Sequence, residues 1–322
     1  MRTPRVAPPS DTSPIQCRST PLAALPQPRT PDERSFVVLS DVHYPADPER
    51  AAETETSWAF KTVLADVRRL DPSMVVVLGD VTHAGRVDAL THVARRLKSL
   101  DWPVYGVPGN HDLVEGDPDR GVSIDEFADL MAPEPYPYTA RTDDLSLVGA
   151  CASNKQIDTA LRDAVVRGLT DTHATGLAIH YPMKRTIECL RSAGIPRTLL
   201  VTPVADDGIA DLLAETDRHP LVLSGHLHVP LVVRGETHTE ITAPPLCTYP
   251  SGYLYIRTGP SGTTVEFVSA VGDATRQLQR GRRMRRSTIE RCLVEFTDAQ
   301  LTAPPARSHP ASASSTASCF DR

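Results

Sequence analysis

From residue 36 onward, apolar positions along the chain follow two alternating rhythms. Phe36 to Ser40 and Met74 to Leu78 are short, nearly continuous apolar runs, the pattern of strands buried on both faces. Between them Phe60, Val63, Leu64, Val67 and Leu70 recur at helical spacing, and Val87, Leu90, Val93, Ala94 and Leu97 repeat that spacing after the second run. Val104 to Val107, Leu145 to Ala150, Leu177 to Ile179 and Leu221 to Leu223 predict further strands. Helices are expected near Ser123 to Met131 and near Asp206 to Thr216. After Val229 the pattern changes to strands separated by Pro and Gly turns, at Leu231 to Val233, His238 to Thr242, Tyr253 to Arg257 and Thr264 to Val268. A βαβαβ opening with a β-rich finish predicts a layered α/β domain over residues 35–300, with sheets inside and helices outside.

The flanks lack this rhythm. Residues 1–34 carry prolines at 4, 8, 9, 14, 21, 26, 28 and 31, which remove backbone donors and break helices. They are expected to be a disordered leader, or translated sequence upstream of the true start. Residues 301–322, with their Ser-Ala-Ser-Ser run, are expected to be an unstructured tail.

Composition narrows the partners. The chain has 322 residues, 40% hydrophobic and 23% charged, enough for a sizeable core. A formal net charge of −6 gives no bulk attraction for nucleic acid or an anionic membrane. No apolar run is long enough to span a bilayer, and the N-terminus lacks the continuous apolar segment of a secretory signal. Six cysteines without a C-x-x-C pair are expected to be free thiols in a reducing cytoplasm. Arg276, Arg280, Arg282, Arg283, Arg285 and Arg286 form a basic cluster before the apolar segment Ile289 to Phe296. It is expected to be a solvated helix face. The alternative, a contact for a phosphorylated or nucleic-acid partner, runs against the acidic balance of the whole chain.

Five polar motifs fall at the ends of predicted strands: Asp41-Val42-His43, Gly79-Asp80, Gly109-Asn110-His111-Asp112, His180-Tyr181-Pro182 and Gly225-His226-Leu227-His228. Singly each is weak, because a histidine after a strand is commonly a hydrogen-bonded structural residue. Together they are not, because α/β sheets put their sites at the carboxyl ends of strands, where all five can meet in one crevice. In extended chain, residues i and i+2 point the same way, so Asp41 and His43 can reach one metal. Mixed imidazole and carboxylate donors suit Mn, Fe, Zn or Co, and the absence of a thiolate from the set argues against a structural zinc site. His92, His173, His219, His238 and His309 have no such partners in sequence, and Trp58 and Trp102 are expected to be packing anchors. The segment Pro244 to Pro250 is expected to be a packed connection, or alternatively a cleft wall that brings Cys247 or Tyr249 near a substrate.

This ordered set resembles the calcineurin-like metallophosphoesterase superfamily over residues 36 to 270. The resemblance implies a four-layer α/β/β/α sandwich with two mixed central sheets and two divalent metal ions at the sheet ends. Carried over by position, it implies a first metal held by Asp41, His43, Asp80 and His228. A second metal would be held by Asp80 as the bridge, with Asn110, His180 and His226. His111 resembles the catalytic histidine, and Asp112 the acidic residue that orients it. Two ions bring about four positive charges against two carboxylates, so even with a bridging hydroxide the site keeps roughly one positive charge and favours a phosphate anion. An oriented imidazole suits protonation of the leaving alkoxide.

Departures from subgroup patterns bear on substrate. His83 stands where purple acid phosphatases carry an iron-bound tyrosine; it is expected near the first metal, as an outer neighbour or a direct ligand. His83-Ala84-Gly85 replaces the Asp-Arg-Gly of the serine/threonine protein phosphatases. The Gly-Asp-x-Thr-His-x-Gly and Gly-His-x-His forms look more like the bacterial and archaeal cyclic-nucleotide phosphodiesterases. The expected function is therefore two-metal hydrolysis of a small phosphate ester, a nucleotide-like phosphodiester first, through a metal-bridging hydroxide. The alternatives are a phosphomonoesterase, a nuclease or a non-catalytic scaffold of the same fold.

Overall fold

The structure is a computed structural model that describes residues 14–47, 54–113, 121–142, 144–151, 159–169, 174–196, 207–214 and 219–305. Strands β1 to β12 are Ser19–Leu25, Arg34–Leu39, Met74–Leu78, Val104–Val107, Tyr138–Arg141, Leu145–Gly149, Ala174–Ala178, Leu221–Ser224, Leu231–Arg234, Thr239–Thr242, Gly252–Gly259 and Gly262–Ser269. Helices α1 to α9 are Ile15–Arg18, Glu55–Leu70, Val87–Lys98, Ile124–Met131, Thr159–Leu169, Lys184–Ser192, Asp207–Ala214, Asp273–Met284 and Thr288–Thr302.

Two mixed sheets stack face to face, one in the order β1-β12-β11-β2-β3-β4 and the other β5-β6-β7-β8-β10-β9. In the first, β2, β3 and β4 are parallel; in the second, β6, β7, β8 and β10 are parallel. Alternation along the strands explains the layering. Val38, Val76 and Leu78 point inward to meet Leu145, Leu147, Ala178, Leu223 and Ile241 of the facing sheet. Their neighbours Val37, Leu39, Val75 and Val77 point outward, under α2, α3 and α4. On the far side α5 and α7 cover Val148, Leu177 and Val222, while α6 and α9 cover β9. This is the four-layer α/β/β/α sandwich.

Helix ends follow local chemistry. Thr54 caps α2, Ser287 caps α9, and Ser123 with Glu126 closes a reciprocal capping box on α4.

Three expectations change. Residues 14–34 are ordered: β1 pairs antiparallel with β12 from Ser19↔Val268 to Leu25↔Thr263, with a register shift between Pro21 and Ala23. Pro21 is tolerated because β1 is the sheet edge, where a missing amide hydrogen breaks no second ladder. Arg18 anchors the segment, its buried guanidinium pairing with Asp66 at 2.9 Å and donating to Ser269 O at 2.5 Å. At the other end α9 runs to Thr302, so the helix takes in the start of the expected tail. Residues 1–13 and 306–322 lie outside the described residues. The third change concerns one member of the arginine cluster, Arg283, while Arg282, Arg285 and Arg286 are exposed as expected. Arg276, Arg280 and Arg282 pair with Asp273, Asp298 and Glu55, and the side chain of Arg283 is only 2% exposed. No helix among the described residues is long and apolar enough to cross a membrane.

Candidate metal centre

All five motifs meet where the two sheets' parallel strands end. The loops after β2 and β3 run side by side: Asp41 N donates to Gly79 O, His43 N to Asp80 O and Tyr44 N to Val81 O. The facing sheet is joined through His180, whose Nδ1 donates to Leu78 O at 2.7 Å. That bond turns Nε2 towards the centre.

Two glycines allow this closeness. A Cβ on Gly109 would collide with the Asp80 backbone and carboxylate, and one on Gly225 with Ser40 Oγ. Five of the converging residues, Asp41, His43, Asp80, His226 and His228, hold left-handed backbone with φ of 49°, 45°, 48°, 66° and 55°. Such conformations are disfavoured for residues with a Cβ and gather at functional sites.

The donor atoms fall into two groups that share one carboxylate. In the first, His228 Nε2 lies 3.1 Å from Asp41 Oδ1 and 3.3 Å from His43 Nε2. His43 Nε2 is in turn 3.6 Å from Asp80 Oδ2. In the second, His180 Nε2 lies 3.4 Å from the same Asp80 oxygen, 3.2 Å from Asn110 Oδ1 and 3.3 Å from His226 Nδ1. Asp41-His43-Asp80 and Asp80-His180-His226 are each spaced to hold a metal ion.

The donors fit cations better than they fit one another. Asp41 is fully buried, yet its Oδ1 accepts no well-formed hydrogen bond. Its other oxygen accepts from Ser40 Oγ at 2.6 Å and His226 N at 3.1 Å. One carboxylate oxygen is thus fixed by the protein while the other is left aimed at the centre. Burial and the neighbouring His228 hold the His43 imidazole down at about 4, and burial with His180 holds His226 at about 3, so both present bare nitrogen lone pairs. Burial alone would raise Asp80, but His180 and His43 hold it below the usual carboxylate range. His180 shows the converse: burial lowers it, but Asp80 and Asp41 push it up to about 9. A divalent ion at Asp80 replaces that proton. These His and Asp clusters form a dinuclear divalent-metal site.

His111 sits at the rim, its ring 4.6 Å from that of His43. Its backbone amide donates to Asp80 Oδ1 at 2.8 Å, and its Nδ1 contacts His83 O at 2.9 Å. Asp112 does not orient it. The Asp112 carboxylate is buried beneath the loops, accepting from Val81 N, Thr82 N, Thr82 Oγ1 and Gly109 N at 2.8–3.1 Å. Four donors packed around Asp112 leave it no reach to the His111 ring. The expected role therefore passes to the His83 carbonyl. The ring of His83 stacks 5.9 Å from that of His111 and, with His43 and His111, forms a third cluster of metal-donor spacing.

Two neighbours escape a reading of sequence, and a third is named there only as an alternative. Ser40 had a signal, as the polar residue ending a buried strand. Cys247, the alternative cleft-wall residue, groups with His43 and His228 because the amides of Leu246 and Cys247 fold back onto Asp41 O. Arg283 was hidden in a run of arginines; it donates to His228 O at 2.9 Å. An open groove of about 970 Å³ starts at Gly85, two residues after His83, and follows α3 past His92, Arg95 and Arg96.

Two stacked mixed sheets carry a centre with one shared carboxylate at their strand ends, the arrangement that the sequence resemblance implied. Residues 34–240 match the family model described as calcineurin-like phosphoesterase, and the chain belongs to that family. Over 82 residues it is 33% identical to a protein of Rhodopseudomonas palustris named as a probable cyclic nucleotide phosphodiesterase, covering 25% of this chain and 30% of that relative. Among solved structures, a dimetal phosphatase from Danio rerio superposes with a TM-score of 0.53 at 13% identity, covering 74% of this chain and 96% of that one. GAP50, described as the anchor in the inner membrane complex of Plasmodium, gives 0.50 at 12% identity over 74% and 85%. Identities this low show a shared fold.

Proposed function

We propose that this chain hydrolyses small phosphodiesters of nucleotide type. The observation that carries the reading is the Asp80 carboxylate, whose Oδ2 faces His43 on one side and His180 on the other at 3.6 and 3.4 Å. In this reading Asp41, His43, Asp80 and His228 hold one ion, and Asp80, Asn110, His180 and His226 hold the other. Bound there, two divalent ions lower the pKa of a water and neutralise phosphoryl oxygens.

The chain's own residues do the rest. His111, with one proton on Nδ1 for the His83 carbonyl and a second on Nε2, gives the Nε2 proton to the leaving oxygen and is left neutral. Ser40 and His226 N keep Asp41 turned.

The diester preference is supported by the named relative and by His83-Ala84-Gly85, which lacks the arginine of protein phosphatases. Retention of every donor position argues against a non-catalytic scaffold. Cys17, Cys247 and Cys292 are free thiols, which suits a reducing compartment such as the cytoplasm.

The test is hydrolysis of bis-(p-nitrophenyl) phosphate against p-nitrophenyl phosphate with Mn²⁺, Fe²⁺ or Zn²⁺, followed by a panel of cyclic nucleotides. Higher kcat/KM on the diester is expected. A preference for the monoester would move the chain to the phosphomonoesterase reading, and no hydrolysis with any metal would favour the scaffold.

A further inference from the structure

Arg283, in the last turn of α8, reaches inward although the arginines around it face solvent or surface acids. Its Nη1 donates to two backbone carbonyls, His228 O at 2.9 Å and Tyr249 O at 2.6 Å. Its Nε donates to Glu290 Oε2 of α9 at 2.5 Å. A buried guanidinium is costly unless its donors are met, and these three bonds meet most of them. The partners are specific places. One carbonyl belongs to the turn that carries His226 and His228. The other belongs to the loop whose Leu246 and Cys247 amides donate to Asp41 O at 3.1 and 3.3 Å.

His228 needs such support. Its φ of 55° is left-handed, a conformation that a residue with a Cβ abandons unless its surroundings hold it. A hydrogen bond to its own carbonyl fixes the peptide plane that follows it. The imidazole is thereby kept where Nε2 lies 3.1 Å from Asp41 Oδ1. A single guanidinium nitrogen, Nη1, pins both loops of the first metal position against each other, while Nε ties the same group to Glu290 of α9, a second anchor that an ammonium lacks.

We propose that Arg283 is a positioning residue for the first metal position, acting through the His228 carbonyl. The inference rests on the reading of His228 as a ligand. It also brings into the centre a part of the chain, α8 and α9, that lies beyond the 34–240 span matched by the family model.

The experiment is titration of metal-free protein with Co²⁺, reading stoichiometry, affinity and visible absorption for wild type, His228→Ala, Arg283→Met, Arg283→Lys and Asp298→Asn. Asp298 is the control. It ties Arg280 and the Tyr249 hydroxyl to α9 without touching His228. Wild type is expected to bind two Co²⁺, and His228→Ala to lose one tight site. Arg283→Met should keep both sites but weaken one about 10- to 100-fold with an altered spectrum. Arg283→Lys should recover part of that loss, and Asp298→Asn should bind like wild type.

If Arg283→Met bound both ions like wild type while His228→Ala lost one, the positioning role would be wrong and the ligand reading would stand. If His228→Ala kept both sites unchanged, the ligand reading would fall and the inference with it. An equal loss in Asp298→Asn would reduce Arg283 to general docking of the helices. Should Arg283→Met fail to fold, Glu290→Gln, which removes only the outer clamp, is expected to weaken the same site severalfold; wild-type binding there overturns the proposal.

Discussion

The Nδ1 of His111 is held 2.9 Å from the backbone carbonyl of His83, while the neighbouring Asp112 carboxylate turns away to bind the amides of Val81, Thr82 and Gly109. The two residues therefore separate in their effects. His111→Ala is expected to keep both metal ions and to lose about 10²- to 10⁴-fold in turnover on an alkyl diester. The loss should be smaller on a nitrophenyl ester, whose leaving group needs less help. Full activity of His111→Ala on the alkyl ester would contradict its role as proton donor.

Asp112→Asn should act on stability. The amide has one acceptor oxygen to offer four donors, and its own NH₂ must face backbone N–H groups. A loss of about 1–3 kcal/mol is expected from unsatisfied buried donors, measured by urea unfolding. An unchanged midpoint would show that the loops do not depend on that carboxylate.

Gly109→Ala tests how tightly the loops are drawn together. Its Cβ would strike the backbone and carboxylate of Asp80, neither of which can retreat without disturbing both clusters. The expected result is a protein destabilised by about 1–3 kcal/mol that binds metal poorly at both positions. Unchanged metal content would mean that the approach of β3 and β4 loops is looser than the structure has it.

The Arg18–Asp66 pair holds the N-terminal segment to the domain. Asp66 is fully buried and also accepts from the Tyr253 hydroxyl at 3.1 Å. Arg18→Met should cost less than the about 3–5 kcal/mol of a fully stranded buried charge, because Arg69 Nη2 stays 3.6 Å from Asp66 Oδ1. Arg18→Met with Asp66→Leu should cost clearly less, since no charge is left unpaired. Equal costs for the single and double variants would place the stabilisation in packing.

His238 carries a pH dependence of stability. Burial, with His219 and Arg185 nearby, holds its pKa at about 4 against an ordinary 6.5. Protonation therefore favours the unfolded chain: the contribution is present above pH 6.5 and is lost as pH falls towards 4. Between pH 7 and pH 5 wild type should lose about 2 kcal/mol more than His238→Gln. Parallel stability curves for the two proteins would contradict this.

What sequence makes legible here is what local pattern controls. The strands that lead into Asp41, Asp80 and His111 are apolar on both faces, and polar residues erupt at their ends, so both fold and site show through. β1 does not show, because an edge strand can carry Pro21 and a register shift without breaking a second ladder. The partners of Asp112 and Arg283 do not show either. Asp112 stands beside His111 in sequence, but its carboxylate is claimed by amides about 30 positions earlier. Arg283 sits in a run of charge, and what buries it is a pair of carbonyls 34 and 55 positions away. Contacts of that kind arise only once the sheets have stacked.

The most direct test of the shared-carboxylate centre is metal stoichiometry on chelator-stripped protein titrated with Mn²⁺. Wild type should take up two ions per chain. Asp80→Asn, which leaves every other donor in place, should lose affinity at both positions together. A wild-type chain that binds one ion or none, or an Asp80→Asn variant that binds two as tightly as wild type, would contradict the account.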